Sequence, residues 1–290
     1  MADFTIVTDS SCGLPDALAK EMGLTVLPLS VNIAGKEYRN LLDGSDISFA
    51  EFFRLLRAGT PCTTSAVNVE AFRAAMEPIL QAGRDILCIA FSSALSNTCN
   101  AAQMAAEDLA KSYPDRKIYV VDSLCASLGE GLLIYLAHKE REKGKSIDEV
   151  RLWLEQNKLQ LCHWFTVDDL QHLRRGGRIS SATAFFGAML HIKPVLHVDN
   201  AGRLINVGKA RGRRALLDAL VGHMAKTAVA PETQTVFISH CDAQADAEYI
   251  ARQIKQQLKV PKVIIHYVGP VISAHSGPGT VALFFLGTER

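Results

Sequence analysis

The sequence lacks several features that would place it in a common functional class. Its 290 residues contain no Cys-x-x-Cys pair, and the seven cysteines are odd in number and widely spaced, so we expect reduced thiols rather than disulfides or a zinc site. The 31 lysines and arginines nearly balance the 30 aspartates and glutamates, whereas proteins that bind nucleic acid through its phosphates usually carry a positive excess. The composition therefore predicts neither a metal site nor a nucleic-acid partner.

Long hydrophobic runs are also missing. The most apolar stretch, residues 269–287, is interrupted by Pro270, His275, Pro278 and several glycines, and a membrane span needs about 20 predominantly apolar residues in succession. The first residues show neither the basic start nor the small-residue cleavage site of a signal peptide. We therefore expect a soluble, cytoplasmic protein that makes at most transient contact with a membrane.

No complete catalytic motif is present. The sequence has no G-x-S-x-G elbow, no Walker A loop and no H-E-x-x-H pair, which mark α/β-hydrolases, P-loop NTPases and zinc proteases. These absences favour a binding protein without a cofactor over an enzyme.

The hydrophobic pattern predicts an α/β fold. Short β-branched runs alternate with longer segments of helical period, which is typical of mostly parallel sheets flanked by helices. Strands are predicted at residues 4–8, 24–31, 86–91, 118–121, 164–167, 194–198, 235–239 and 263–268, and helices at 69–80, 97–111, 128–143, 147–157, 214–227 and 244–258. Two successive helical segments, 128–143 and 147–157, are followed near Lys158 by the start of a new strand. We therefore divide the chain into two α/β domains, residues 1–160 and 161–290; the alternative is one large sheet.

Hydroxyl-rich turns follow several predicted strands. Thr8-Asp9-Ser10-Ser11 ends the first strand, Ser92-Ser93-Ala94-Leu95-Ser96-Asn97-Thr98 follows the third, and a threonine-rich loop at residues 60–65 precedes a helix. In open parallel sheets, ligands bind outside the carboxyl ends of the strands, where helix N-termini attract anions. Helix capping is the better explanation of any one such turn. Their recurrence favours a shared site for a small anionic ligand.

Two basic segments and one histidine add to this pattern. The sequence Arg174-Arg175-Gly176-Gly177-Arg178 predicts a helix end whose glycines aim Arg178 at a carboxylate or phosphate; an exposed basic helix terminus is the alternative. A second basic segment, residues 209–214, precedes a helix, where cations are unfavourable, and this favours a functional role. We predict that His275 lies in a glycine-rich turn beside a helix N-terminus. Its role is either structural or ligand-facing, and both alternatives stay open.

Taken together, these segments resemble the DegV family of bacterial lipid-binding proteins. The matching segments, in the family's order, are Ile6-Val7-Thr8-Asp9-Ser10-Ser11-Cys12-Gly13-Leu14-Pro15, Thr64-Ser65, Ser92-Ser93-Ala94-Leu95-Ser96-Asn97-Thr98, Val121-Asp122-Ser123, Leu173-Arg174-Arg175-Gly176-Gly177-Arg178-Ile179-Ser180, Ile192-Lys193-Pro194-Val195 and His275-Ser276-Gly277-Pro278-Gly279. The chain departs from the family where Ala94 and Asn97 replace glycines, where Cys99 replaces an aromatic residue, and where Ala66-Val67 follows Thr64-Ser65. We expect these departures to affect the pocket entrance or the tail selectivity rather than the head-group donors.

The resemblance implies a two-domain α/β protein that holds one long-chain fatty acid between its domains. It further implies that the protein presents the carboxylate to a separate fatty-acid kinase, which forms an acyl-phosphate. By analogy, the head group would be bound by Thr64, Ser65, Ser92, Ser93, Arg178, His275, Ser276 and Gly277, and the exact donor within each Ser or Thr pair stays open. Lys209 and Arg211 would face the kinase. The tail would be lined by Phe185, Phe186, Met189, Leu190, Leu283 and Phe284.

Two other functions stay open at this point. A phosphatase or esterase would use Asp9 or Ser92 as nucleophile and His275 as acid–base; however, Asp9 lacks the second aspartate of aspartyl-phosphate enzymes, because Ser11 stands there. A DNA-binding regulator is suggested only by the two basic segments.

Overall fold

The computed structural model of the protein describes residues 4–179 and 192–290. The strands are β1 (Phe4–Asp9), β2 (Thr25–Leu27), β3 (Ser30–Ile33), β4 (Lys36–Arg39), β5 (Cys62–Ser65), β6 (Asp85–Ala90), β7 (Ile118–Asp122), β8 (Leu161–Thr166), β9 (Ile192–Val198), β10 (Leu204–Arg211), β11 (Thr235–His240), β12 (Lys262–Tyr267) and β13 (Val281–Leu286). The helices are α1 (Asp16–Glu21), α2 (Phe49–Arg57), α3 (Val69–Gln81), α4 (Thr98–Ser112), α5 (Leu128–Glu142), α6 (Ile147–Asn157), α7 (Leu170–Arg175), α8 (Arg213–Thr227), α9 (Gln244–Leu258) and α10 (Pro270–Ser276). The predicted α/β class is confirmed.

A parallel sheet of four strands, in the order β2-β1-β6-β7, forms the first layer. Its central strands are buried on both faces, as expected of strands rich in β-branched residues. Ile6 of β1 packs in one hydrophobic cluster with Leu132 of α5, whereas the next residue, Val7, packs in a second cluster with Phe72 of α3. Side chains therefore alternate between two layers of helices.

A second sheet has the order β10-β9-β8-β13-β11-β12 and is antiparallel except for the β11–β12 pair. This arrangement differs from the mostly parallel sheets that the sequence pattern predicts. The alternation of apolar segments does not report strand direction, but the connection does. Strands β9 and β10 are joined by the short turn Asp199–Arg203, in which the Asp199 N–H donates to the Arg203 carbonyl, and so short a connection joins only antiparallel strands.

A small antiparallel sheet, β4-β3-β5, was not predicted. The strand predicted at 24–31 divides into β2 and β3 at Pro28, which has no N–H to donate to a sheet. The predicted loop at residues 60–65 contains β5, which pairs with β3 at the edge of this sheet. Thr64 therefore lies on a strand rather than in a loop.

The described strands of the parallel sheet all end before residue 161, and those of the six-stranded sheet all begin at or after it. Helix α5 lies between the two sheets, because its side chains share one cluster with Ile6 of β1 and with Phe284 of β13. The domain boundary at residues 160–161 stays a prediction. In the part of the chain that the structure describes, no helix has the length and apolar character that crossing a membrane requires.

Candidate ligand cavity

A cavity of about 250 Å³ lies where α5, α10, β5 and the inner face of the six-stranded sheet meet. The apolar residues that line it are Leu29, Ala66, Phe91, Leu95, Ala126, Phe165, Leu173, Val198, Leu204, Val268, Val271, Ile272, Ala282 and Phe284. The polar residues that line it are Thr64, Ser65, Ser96, Asn97, Ser127, His163, Arg178, Ser239, His275, Ser276 and Thr280. Ser65, Ala66 and Asn97 are exposed, so the cavity opens to solvent beside them.

Thr64 and His275 form the central polar contact at this opening. Thr64 Oγ1 lies 2.8 Å from His275 Nε2, although the two residues are 211 positions apart in the sequence. Strand alternation turns Thr64 inward, because its neighbours Thr63 and Ser65 are exposed while Thr64 is half-buried. The structure thus brings together two of the residues that the sequence analysis named.

His275 lies in the last turn of α10, not in a turn beside a helix N-terminus. The prediction was wrong because Pro270 starts a helix of only seven residues, too short for its period to be read in the sequence. Burial, and secondarily the positive charge of Arg178, lowers the pKa of His275 from 6.5 to about 4. The imidazole is therefore neutral at neutral pH and carries one N–H donor.

Arg178 is held at the cavity by the end of α7. Asp169 caps the start of this helix, because its carboxylate accepts from the Gln171 N–H at 2.8 Å. Gly177 then adopts φ +71°, a left-handed conformation that glycine accommodates readily. The Arg178 guanidinium donates to the carbonyls of Leu95, at 3.1 Å, and Gly176. Both acceptors are neutral, and within residues 4–179 and 192–290 no carboxylate forms an ion pair with it.

The N-terminus of α4 also reaches the cavity, through Ser96 and Asn97. Ser96 Oγ accepts from the Thr98 N–H at 3.3 Å, and its hydroxyl lies 2.9 Å from that of Thr98. The residues predicted to bind the ligand from this turn were Ser92 and Ser93 instead. Proximity to the helix start, where anions are favoured, was the signal that pointed to Ser96.

Three other predicted head-group residues do not line the cavity. Ser92 is buried and its hydroxyl donates to the Gly202 carbonyl at 3.0 Å, while Ser93 is exposed and its N–H donates to Asp122 at 3.2 Å. Gly277, with φ +80°, packs against His172, where a Cβ atom would lie 2.5 Å from the ring. In contrast, Ser65 and Ser276 do line the cavity.

Of the predicted tail-lining residues that the structure describes, Phe284 lines the cavity and Leu283 does not. Strand alternation points Ala282 and Phe284 of β13 into the cavity, and it points Leu283 to the opposite face, where it packs with Leu216 and Leu217 of α8. Leu283 therefore does not line the cavity. Phe185, Phe186, Met189 and Leu190 lie outside the described residues.

The second basic segment spans the end of β10 and the start of α8. Lys209 and Arg211 are exposed on β10, while Leu204 of the same strand lines the cavity. Arg213 has a structural role, because its guanidinium lies 2.7 Å from Asp246 and 3.3 Å from Asp168. These carboxylates offset the unfavourable position of a cation in the first turn of a helix.

The hydrolase alternative requires Asp9 or Ser92 beside His275, and the contacts of these residues differ from that arrangement. The Asp9 carboxylate is fully buried and accepts from the N–H groups of Ser11, at 3.0 Å, and Phe91, at 2.9 Å. Burial raises the pKa of Asp9, although these hydrogen bonds oppose the shift. Asp9 thus stabilises a turn, as the capping interpretation predicts, and Ser92 donates to a backbone carbonyl.

The fold and the cavity define an α/β protein with a mainly apolar interior cavity that is polar where it meets solvent. The family model described as "Uncharacterised protein, DegV family" matches residues 3–288. The chain belongs to the DegV family, which confirms the resemblance drawn from the sequence motifs.

Relatives and solved structures agree with this assignment. A DegV domain-containing protein of Clostridium perfringens is 46% identical over 290 residues, which cover 100% of this chain and 99% of the relative. The solved structure of a DegV family protein from Thermus thermophilus, described as binding fatty acid, has 30% identity, covers 98% of this chain and 99% of its own, and has a TM-score of 0.86. A DegV lipid-binding protein of Thermotoga maritima is 28% identical with full coverage of both chains and a TM-score of 0.86.

Proposed function

We propose that this protein binds one long-chain fatty acid in the cavity, with the carboxylate at the Thr64–His275 contact and the hydrocarbon tail among the apolar residues. The observation that supports this most directly is the distribution of polarity. At the opening lie neutral hydrogen-bond donors and the cation Arg178, which has no ion-pair partner among the described residues. The interior is lined by Phe165, Phe284 and other apolar side chains. The fatty-acid-binding relative from Thermus thermophilus supports the same ligand class.

The energetics fit an amphiphile. Burial of about 14 methylene groups contributes on the order of 11 kcal/mol at ~0.8 kcal/mol each. Lost translational and conformational freedom opposes this by roughly 4–15 kcal/mol. The tail therefore supplies most of the affinity, and the head group fixes the direction in which the ligand enters.

The carboxylate must be hydrogen-bonded when it leaves water, since otherwise its pKa rises and it loses its charge. In the tautomer with the proton on Nε2, His275 donates to Thr64 Oγ1, and the Thr64 hydroxyl then donates to the carboxylate. Arg178 supplies positive charge without burying a lysine. The start of α4, beside Ser96, adds the partial positive charge of a helix N-terminus.

Replacing Thr64 with valine tests this assignment, because valine keeps the shape of threonine and removes the hydroxyl. We expect fatty-acid affinity to fall about 5- to 150-fold, which corresponds to roughly 1–3 kcal/mol for a lost buried hydrogen bond. Thr63→Val is the matched control, since Thr63 lies next to it on the outer side of β5. Equal affinities for palmitate in the two variants would show that Thr64 does not bind the head group.

We also propose that the exposed opening lets a separate kinase reach the carboxylate, and that Lys209 and Arg211 lie on the surface which that kinase contacts. The proposal is supported by the exposure of both residues on β10, the strand whose Leu204 lines the cavity. Arg211→Ala should leave fatty-acid affinity unchanged and reduce acyl-phosphate formation with a bacterial fatty-acid kinase. Unchanged turnover of this variant would reject the assigned surface.

A further inference from the structure

Ser127, at the entry to α5, has a backbone conformation that its side chain makes unfavourable. Its φ of 55° and ψ of −146° fall in a region populated almost only by glycine. Ser127 also holds the N-cap position of α5, but its hydroxyl makes no capping hydrogen bond, although serine is among the preferred capping residues. Position 127 therefore carries a serine although glycine would fit the backbone better, and the serine hydroxyl does not cap the helix.

The Ser127 hydroxyl instead contacts the hydroxyl of a second serine that lines the cavity. Ser127 Oγ lies 3.1 Å from Ser239 Oγ, and both residues line the cavity and are buried. Each hydroxyl carries one proton, and a bond between two hydroxyls uses only one of them. Neither serine has another hydrogen bond among the described residues, so within that part of the chain one hydroxyl proton of the pair has no acceptor.

None of the described residues that line the cavity around the pair accepts a hydrogen bond from it. Ala282 pairs with Ser239 across the two strands, and the next inward residue of β13 is Phe284. The nearby His163 uses both ring nitrogens, because Nδ1 lies 3.1 Å from the Leu161 carbonyl and Nε2 accepts from the Ala126 N–H at 3.2 Å. A buried donor without a partner is unfavourable, and a ligand in the cavity can supply the acceptor that the described residues do not.

The pair lies away from the polar opening. Ala282, which pairs with Ser239, is two residues beyond Thr280, the residue that precedes β13, and two residues of extended chain correspond to roughly 7 Å. Thr280 in turn donates to the Ser276 carbonyl, next to His275. A ligand whose carboxylate occupies the opening therefore presents the interior of its chain, not its head, to Ser127 and Ser239.

We propose that Ser127 and Ser239 form a second polar subsite, which accepts a fatty acid carrying an oxygen atom, as a hydroxyl or keto group, in the middle of its chain. The inference rests on the proposed function, since it assumes that an acyl chain fills the cavity. In a wholly apolar cavity a chain hydroxyl would lose its hydrogen bonds with water and bind less well than a plain chain. The second hydroxyl proton of the serine pair can donate a hydrogen bond to the oxygen atom of such a chain, and this offsets the loss.

The test compares stearate with hydroxystearates on the wild type and on the double variant Ser127→Gly/Ser239→Ala. Glycine suits the φ of position 127, so the double variant retains the backbone conformation. The readout is the affinity of each hydroxystearate relative to stearate in the same protein, so that a general effect of the two substitutions on the cavity cancels. For at least one isomer hydroxylated between carbons 6 and 12, the affinity relative to stearate should fall about fivefold, the factor for one hydrogen bond of ~1 kcal/mol.

The isomer 2-hydroxystearate serves as the control, because its hydroxyl lies beside the carboxylate, and its affinity relative to stearate should be the same in both proteins. If no mid-chain isomer loses relative affinity in the double variant while stearate still binds, the subsite is refuted and the proposed function stands. If the wild type binds neither stearate nor any hydroxystearate, both are refuted.

Discussion

Replacing Gly176 with alanine perturbs the polar opening without changing any residue that lines the cavity. Gly176 ends α7 with φ −73°, a conformation open to every residue, so alanine introduces no backbone strain there. A Cβ atom at this position would lie 2.1 Å from His275 Nδ1. Ordinary contacts begin near 3.4 Å, so the imidazole must move by about 1.3 Å, that is 3.4 minus 2.1 Å.

This displacement should weaken ligand binding more than it reduces the stability of the fold. The obstructing atom belongs to a side chain, which can rotate, so we expect the variant to fold. The contact between His275 and Thr64, at 2.8 Å, does not survive such a rotation. Loss of one oriented donor at a buried carboxylate corresponds to roughly 1–3 kcal/mol, or a Kd for palmitate that is about 5- to 150-fold higher.

Titration calorimetry with palmitate measures the affinity, and the NMR signals of the His275 ring report its displacement. Gly222→Ala is the matched control, because an added Cβ meets open space in the middle of α8. That variant should gain about 1 kcal/mol of stability, since alanine is the better helix former, and should keep its affinity. A shifted His275 ring in Gly176→Ala with unchanged palmitate affinity would refute the role of His275 in head-group binding.

Three further predictions concern the cavity, its pH dependence and a helix cap. Ala282→Phe places a large side chain in the cavity and should weaken palmitate binding at least about tenfold, while Leu283→Phe, on the opposite face, should change stability but not affinity. Because the pKa of His275 is about 4 in the folded protein and 6.5 ordinarily, the unfolded state takes up a proton first, and the free energy of unfolding should decrease as the pH falls from 6.5 to 4. His275→Gln should reduce that decrease in denaturant titrations by at most about 3 kcal/mol; an unaltered pH dependence would contradict the burial of a neutral imidazole. Ser146→Ala removes the side chain that accepts from the Glu149 N–H at the start of α6 and should cost about 1 kcal/mol of stability without affecting binding, as thermal unfolding and calorimetry would show.

The long helices could be predicted from the sequence because their signals are local. The helix predicted at 147–157 matches α6, since Ser146 and Glu149 form a capping box at its start and a clear apolar period follows. The segment around Pro28 shows the opposite case. Its apolar residues indicate one strand, but a single missing N–H ends β2 and lets β3 join another sheet.

The site could be predicted only in part, because its contacts are long-range. Thr64 and His275 were both named, yet their contact depends on how β5 and α10 pack, which no local pattern specifies. Leu283 and Phe284 are adjacent and both apolar, and only the pairing of β13 decides which of them faces the cavity. Similarly, the path of the turn after β6 decides that Ser96 rather than Ser92 lines the cavity.

Native mass spectrometry of the protein purified from bacterial cells tests whether the cavity holds a fatty acid. We expect a complex heavier than the free chain by the mass of one long-chain fatty acid, and extraction of the same sample should release that acid. A chain that is always empty, and that remains empty after incubation with palmitate or oleate, would contradict the proposal that this cavity binds fatty acids.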